Sequence, residues 1–329
     1  MKDNNKSIIL KKNNSIKSSQ SEYEIGFLLK NMYINENDKD DINKTIKSYL
    51  NQFIISKVLI HMNNYDADLH RLDQLLIELA NFSNLSHLII DLNLSQIDLQ
   101  SFSFSLSQFS SIQNIKFLCL SLFEIGAGET ECVHISQAIQ QFKSLVSLDI
   151  DIKENQIKDQ GLITLFQGIQ KLENLSCLKL DIGHGNIADE GISTAGQIVK
   201  DMNRLEDFNL IIWENEFSCK GLTIFANNLI YCQRLKYLNL YLSENFNLDN
   251  LGFCQFLEQI GHIKGLQHFA LYLVYCKLSM SQLIDSFLQN LKKLKQLNTI
   301  EIQSQYYSKA DELLTSHLMK LNRLVKMIK

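Results

Sequence analysis

The sequence predicts an α/β solenoid, a stack of strand–helix units with a parallel sheet on the concave face and helices on the convex face. Three observations predict it. One apolar frame recurs nine times, its copies lie 30 residues apart until the last two intervals of 31, and each copy changes from strand to helical periodicity. The frame places apolar residues at steps 0, 3, 5 and 7, as in Leu175–Ile182. It starts at Ile55, Leu85, Ile115, Leu145, Leu175, Leu205, Leu235, Leu266 and Leu297.

The sequence contains enough hydrophobic residues for a core, and its net charge is small. Hydrophobic residues make up 45% of the 329-residue chain, and the formal net charge is -4. The seven cysteines follow no CxxC or paired spacing, which favours a reducing compartment and gives no metal-site pattern. The sequence shows neither a signal-peptide core nor a membrane-length apolar stretch. We expect an intracellular, cytoplasmic protein that uses no cofactor and no metal and contacts no membrane.

The two ends of the chain differ from its middle. Residues 1–21 are basic and hold too little apolar surface to offset chain entropy, so we expect a disordered tail there. Apolar residues at helical spacing between Ile42 and Phe53 predict a helix, and residues 22–54 are interpreted as a helical N-terminal cap over the first repeat. Residues 55–329 form the repeat domain, with nine repeats of 30–31 residues and a truncated tenth.

Each repeat is predicted to contain a strand half and a helix half. In the copy that starts at Leu145, Leu148 and Ile150 follow the strand period of two. Residues 162–172 then follow helical spacing, and Asp159 stands where an N-cap residue would lie. Neither half can bury its apolar face alone, so the copies must stack, and the stack bends because helices are wider than strands.

A turn signal of Asn, an apolar residue and Gly separates the two halves. Asn can bond to the backbone as the chain leaves the strand, and Gly permits a close approach. The signal reads Asn155-x-Ile157 then Gly161, Asn186-Ile187 then Gly191, Asn215-x-Phe217 then Gly221, and Asn247-Leu248 then Gly252. The copies from Leu85 and Ile115 lack it, and we expect less regular helices there.

This combination of LxxLxLxL, Asn, an apolar residue, Gly and a helix in a period near 30 resembles the leucine-rich repeats of the ribonuclease-inhibitor-like type. The resemblance covers the chain from Ile55 onward and implies a horseshoe-shaped leucine-rich-repeat solenoid. It implies no particular activity, because such horseshoes serve many unrelated roles. The absence of proline and the abundance of Asn, Lys and Ile are typical of an AT-rich coding genome, as in some protists.

The last residues repeat the beginning of the frame. Leu321, Leu324 and Met327 have the spacing that begins the earlier copies, so the chain stops inside a tenth strand. Three interpretations are open: the stub is a minimal cap, a partner or a second copy covers the edge, or further sequence follows. We favour the cap.

No catalytic site emerges from the residues. The glycine pairs near Gly126 and Gly183 lack a complete phosphate-binding frame and fall in strand-to-helix turns, where glycine serves geometry. The histidines form no cluster in sequence, and no nucleophile–base pair can be singled out. GTPase-activating proteins of the Ran type have a similar repeat class, but only Arg71 lies on the suitable loop rim. Repeats that accompany a kinase domain are a further alternative.

Side chains at steps 2, 4, 6 and 8 of each frame point out of the core, because strand side chains alternate. They predict two groups on the concave wall. The acidic zone, in repeats two to six, consists of Asp91, Asp149, Asp151, Asp181 and Asp207, with Lys179 among them. The aromatic zone, in repeats six to eight, consists of Trp213, Tyr237, Tyr241, His268 and Tyr272, and repeat three adds Phe117 and Phe123.

An acidic groove beside exposed Tyr and Trp is typical of a protein-binding surface. We hypothesise a non-enzymatic scaffold whose protein partner lays a basic segment or helix along this wall. The alternative is that these residues merely tolerate a half-exposed strand, with Lys179 and water satisfying the carboxylates. Nucleic acid is a disfavoured partner, because the aspartates would repel phosphates.

Overall fold

All the strands that the structure describes belong to one open sheet. The computed structural model describes residues 7–12, 22–28, 54–61, 76–77, 84–93, 98–108, 114–304, 316 and 324–328. Its strands follow one another in space in their sequence order. They are Ser7–Lys12 (β1), Glu22–Leu28 (β2), Ile54–His61 (β3), His87–Asp91 (β4), Phe117–Ser121 (β5), Ser147–Asp151 (β6), Cys177–Asp181 (β7), Asp207–Ile211 (β8), Tyr237–Tyr241 (β9), His268–Leu273 (β10), Thr299–Ser304 (β11) and Leu324–Ile328 (β12).

The strands pair in parallel from β2 to β12, and the pairing register of β3–β11 equals the repeat length. Asp151 lies opposite Asp181, and Asp181 lies opposite Ile211. Equivalent steps of successive repeats therefore form straight rows across the sheet. The predicted α/β solenoid, the architecture of leucine-rich repeats, is confirmed.

Helices alternate with the strands and cover one face of the sheet. They are Leu99–Gln108 (α1), Glu129–Ile139 (α2), Lys158–Ile169 (α3), Asp189–Val199 (α4), Cys219–Leu229 (α5), Asn250–Ile260 (α6) and Met280–Leu291 (α7). Strand residues such as Leu148 and Ile150 and helix residues such as Leu162 and Phe166 belong to one buried cluster. Along each strand, buried residues alternate with residues that point away from the helices. The side chains of the second group form the face of the sheet that no described helix covers, here called the free sheet face.

The helices of the second and third repeats are regular, so the prediction of irregular helices there is wrong. Other caps replace the missing turn signal. At the start of α1, Asp98 Oδ1 accepts from the backbone N–H of Gln100 (3.0 Å). At the start of α2, the backbone N–H of Gly128 donates to Glu131 Oε2 (2.7 Å). Each carboxylate satisfies a backbone group that a helix end leaves unpaired.

The buried asparagine of the turn stands ten steps after the start of the frame. The Nδ2 group of Asn245 donates to the carbonyls of Leu242 (2.8 Å) and Ile212 (2.9 Å), which belong to its own and the preceding repeat. Asn155 and Asn215 make equivalent pairs of bonds. Such bonds matter because a buried unpaired carbonyl is costly.

Two of the four predicted turn asparagines do not take this position. Asn186 follows Gly185, which holds the tenth step of its repeat, and Asn247 is exposed two residues beyond the buried Asn245. Asn186 instead has a left-handed backbone, with φ of 58°. The prediction located the turn relative to the apolar residue that follows it, whereas the position is set by the distance from the frame start.

The predicted N-cap residue Asp159 lies inside α3 and serves the next repeat. Its Oδ1 accepts from the backbone N–H of Ala188 (2.7 Å), immediately before α4. A Cβ on Gly191 would collide with the same carboxylate, so the glycine makes this close approach possible. The role predicted for Asp159 within its own repeat is therefore wrong, because helix-to-helix stacking puts it nearer the following turn.

The outer strands involve the terminal segments. Within the stretch for which the sequence predicts disorder, β1 forms and pairs antiparallel with β2, which in turn pairs in parallel with β3. The edge of a parallel sheet offers backbone groups that a further strand can satisfy. The helix predicted between Ile42 and Phe53 lies outside the described residues. At the other end, β12 pairs in parallel with β11.

We predict that Asn245→Ala lowers the free energy of unfolding by about 2–4 kcal/mol, because it removes the buried group that pairs two carbonyls and accepts from the backbone N–H of Asn215. Urea unfolding followed by circular dichroism measures the change. Asn247→Ala is the matched control; it loses one exposed bond to Glu216 O and should cost less than about 1 kcal/mol. Equal losses for the two variants would contradict the structural role of the tenth step.

Candidate functional site

The free sheet face, formed by steps 2, 4, 6 and 8 of the repeats, carries the predicted interaction residues. Most of their side chains are half-buried: Asp91, Asp149, Asp151, Asp207, Trp213, Tyr241 and Tyr272. Tyr237 is 44% exposed, and Asp181 is buried at 8%. The face thus brings the predicted residues onto one surface but does not expose them equally.

Two lysines neutralise much of the acidic zone. Lys179 Nζ lies 3.0 Å from Asp149 Oδ2. Lys153 Nζ contacts Asp151 Oδ2 and lies 3.6 Å from Asp181 Oδ2. Lys153 was not among the predicted residues of this face, although it stands at step 8 of the fourth repeat, which starts at Leu145. The middle of the acidic zone is therefore an ion-pair network and not a row of unpaired carboxylates.

Asp181 is the most perturbed carboxyl of this network. Burial, followed by the neighbouring Asp151 carboxylate, raises the pKa of Asp181 to about 6. The backbone N–H of Gly183 (3.2 Å) and Lys153 act in the opposite direction. Trp213 contributes to the crowding on this side, because it packs so closely over Gly183 that a Cβ there would collide with its indole ring.

The two outer members of the acidic zone have different surroundings. Asp91 is separated from Asp151 along its row by Ser121, and its Oδ1 accepts a long bond from Asn93 N (3.4 Å). Asp207 lies opposite Tyr237, and burial raises the pKa of its carboxyl. Within the described part of the chain, no hydrogen bond or ion pair reaches the Asp207 carboxylate. The His268 imidazole, on β10, acts in the opposite direction and lowers the pKa of this carboxyl.

The aromatic zone is ordered by stacking between neighbouring strands. The rings of Tyr241 and Tyr272 are parallel, with centroids 4.0 Å apart and an interplanar angle of 5°. Tyr272 Oη donates to Glu301 Oε1 (2.9 Å), and burial together with this bond raises the pKa of the Tyr272 hydroxyl. The Tyr237 and His268 rings are 6.2 Å apart. These two ring pairs form an aromatic platform on repeats seven and eight.

A row of residues beside the sheet face escaped the sequence analysis. At step 9 of repeats three to eight the backbone is left-handed, with φ between 50° and 62°, at Glu124, Glu154, His184, Glu214, Glu244 and Tyr275. This conformation continues the ladder, since the N–H of Glu154 donates to Gly183 O (2.9 Å). His184 Nδ1 pairs with Glu154 Oε2 at 2.6 Å, which raises the pKa of His184. The sequence contains the row, but it carries no signal for the sign of φ.

The two cysteines on this face have thiols with raised pKa values. Burial raises the pKa of the Cys119 thiol to about 11 and raises that of Cys177, so neither thiol is activated. Among the side chains that the structure describes, no group of three or more His, Cys, Asp and Glu is placed to hold a metal ion. Arg204 bonds to Asn174 Oδ1 (2.7 Å), and Arg71 lies outside the described residues.

Comparison with known proteins identifies no relative, so the fold and the surface are the basis for inferring function. The sequence matches no protein-family model and is not significantly similar to any curated protein. In the described ranges, every helix is too short or too polar to cross a membrane. The structure defines the class of protein: an open α/β solenoid with a charged and aromatic sheet face.

We predict that Asp181→Asn changes how stability depends on pH. The folded protein binds a proton at Asp181 more tightly than the unfolded chain does, because its pKa is raised from 3.8 to about 6. The wild type should therefore lose stability as the pH rises from about 4 to 6, and the variant should lack this component. Relative to wild type, the variant should gain roughly 1–3 kcal/mol between pH 4 and pH 7. A difference that stays constant with pH would contradict the raised pKa.

Proposed function

We propose that this chain is a non-enzymatic protein-interaction scaffold that binds a partner protein on its sheet face. The observation that carries the proposal is the aromatic platform of repeats seven and eight, bordered by the Asp207 carboxylate. On β9 the inward residues Leu238 and Leu240 are fully buried, whereas Tyr237 on the outward side is 44% exposed. Rigid aromatic rings left at the surface beside charged groups are typical anchors of protein interfaces.

The partner in this proposal is a protein with a basic segment. Aspartates on the sheet face disfavour nucleic acid, because they would repel phosphate groups. The lysine-paired carboxylates Asp149, Asp151 and Asp181 contribute little attraction for a cation, and the aromatic zone contributes contact area. A partner therefore gains most at repeats six to eight, where the chain's own lysines do not cover the face.

We also propose that the repeats belong to the ribonuclease-inhibitor-like type of leucine-rich repeat. Three features support it: the 30-residue period, the α-helix in every repeat from the second to the eighth, and the buried amide at the tenth step. All seven cysteines are free thiols, which supports an intracellular, cytoplasmic location. The roles of GTPase regulator and kinase-associated repeat stay sequence-based alternatives, and no contact in the structure favours either.

The aromatic zone can be tested in the native cell. We predict that the double variant Tyr237→Ser, Tyr241→Ser loses the partners that co-purify with the wild type, as identified by mass spectrometry, because it removes exposed ring area while leaving the inward residues unchanged. The matched control is Tyr231→Ser, which removes a 60% exposed tyrosine from the helix-to-strand side. Circular dichroism checks that all variants fold.

Two results would argue against the scaffold at this site. The double variant could keep every partner, in which case binding lies elsewhere, or the Tyr231 control could lose the same set. Reversing charge at Asp149, Asp151 and Asp181 is a less clean test, because the new lysines would face Lys153 and Lys179 and destabilise the sheet itself.

A further inference from the structure

Lys153 shows how this sheet face holds a cation. Its ammonium contacts Asp151 Oδ2, lies 3.6 Å from Asp181 Oδ2 and stands 5.3 Å from the centre of the Phe123 ring. The carboxylates supply charge-assisted hydrogen bonds, and the ring supplies a cation–π contact. Carboxylates and an aromatic ring on neighbouring strands thus form a cation site, which the chain fills with its own lysine.

Asp207 offers similar chemistry, and no described lysine or arginine pairs with it, although the His268 imidazole interacts with it electrostatically. Its half-buried carboxylate receives neither a hydrogen bond nor an ion pair from the described side chains, and it lies opposite the exposed Tyr237. Lys236, next to Tyr237 in sequence, pairs with Glu206 at 2.7 Å. Lys179, on the neighbouring strand, pairs with Asp149 at 3.0 Å. Two residues along the same face, the buried Asn209 Oδ1 also has no donor. This part of β8 is short of hydrogen-bond donors.

We propose that Asp207 and Tyr237 form the binding site for one arginine or lysine side chain of the partner protein. The proposal rests on the scaffold function and adds to it the group that is recognised. An incoming cation would pair with the Asp207 carboxylate and lie against the Tyr237 ring. At Asp149, Asp151 and Asp181, by contrast, a partner's cation would first have to displace Lys153 or Lys179.

The spacing of two tyrosines on β9 indicates the length of the partner segment that is recognised. Tyr237 and Tyr241 lie on one face of β9, four residues apart, which corresponds to about 13 Å in a strand. The stacked pair of Tyr241 and Tyr272 is an apolar platform at the far end of that distance. The ligand is therefore a segment with a basic side chain at one end and an apolar side chain about 13 Å away, the spacing of four extended residues.

The test uses short random peptides displayed on phage and selected against the folded, full-length protein. Selected peptides should carry Arg or Lys and an apolar residue about four positions away. Their affinity, measured by fluorescence polarisation, should fall about tenfold for Asp207→Asn, as expected for a lost hydrogen-bonded charge. Asp285→Asn, which changes an exposed carboxylate on α7, is the matched control and should bind the peptides like the wild type.

A charge exchange separates recognition from any loss of structure. A peptide in which Glu replaces the basic residue should bind Asp207→Lys more tightly than it binds the wild type. Selected peptides without a basic residue, or peptides whose affinity Asp207→Asn leaves unchanged while Tyr237→Ser weakens it, would overturn the cation site and leave the scaffold function standing. Peptide binding that neither Asp207→Asn nor the Tyr237, Tyr241 double variant alters, or selection that enriches no peptide, would contradict both.

Discussion

The buried amide at the tenth step of the repeat is the interaction on which the rest of the structure depends. Where β6, β8 and β9 end, carbonyl groups of two successive repeats meet inside the core, and leaving them unpaired would be costly. Asn155, Asn215 and Asn245 each donate to at least one carbonyl of their own repeat and to one of the preceding repeat. Because a repeat contacts only its neighbours, these bonds and the apolar stacking together turn separate copies into one sheet.

Different positions of the repeat have different structural roles, and none of these roles needs the side chains of the sheet face. The inward steps hold the core, the tenth step closes the turn, and the ninth step continues the ladder with a left-handed backbone. The outward steps are not needed for any of these tasks, so their side chains can vary from repeat to repeat without breaking the solenoid. Lys153 pairs with two aspartates, whereas Asp207, two strands away, has no described lysine or arginine partner; this contrast arises on the freely varied surface.

The frame alone was enough to predict strands β3 to β12, their parallel order and the rows on the sheet face, because burial at every second residue leaves no other register. It did not predict β1 and β2, which lie before the first copy of the frame. The turn was harder. Asn186 and Asn247 look like turn residues, yet only counting from the frame start identifies Gly185 and Asn245 as the tenth step. Long side chains were harder still, because sequence fixes the row of Lys153 but not the direction in which its flexible stem reaches. Helix α1 formed without the expected signal, since Asp98 supplies a cap that a Gly-based pattern overlooks.

The electrostatics of the sheet face show why counting charges is a poor guide to where a partner binds. Five aspartates suggest one acidic groove, but a carboxylate with a lysine at 3.0 Å offers an incoming cation little that it does not already have. A carboxylate that is partly desolvated and lacks a lysine or arginine partner differs, because pairing there recovers free energy lost on desolvation. The exposed ring of Tyr237 adds a surface on which a cation can rest. The strongest attraction for a basic side chain is therefore expected at the isolated Asp207 and not where the aspartates are most numerous.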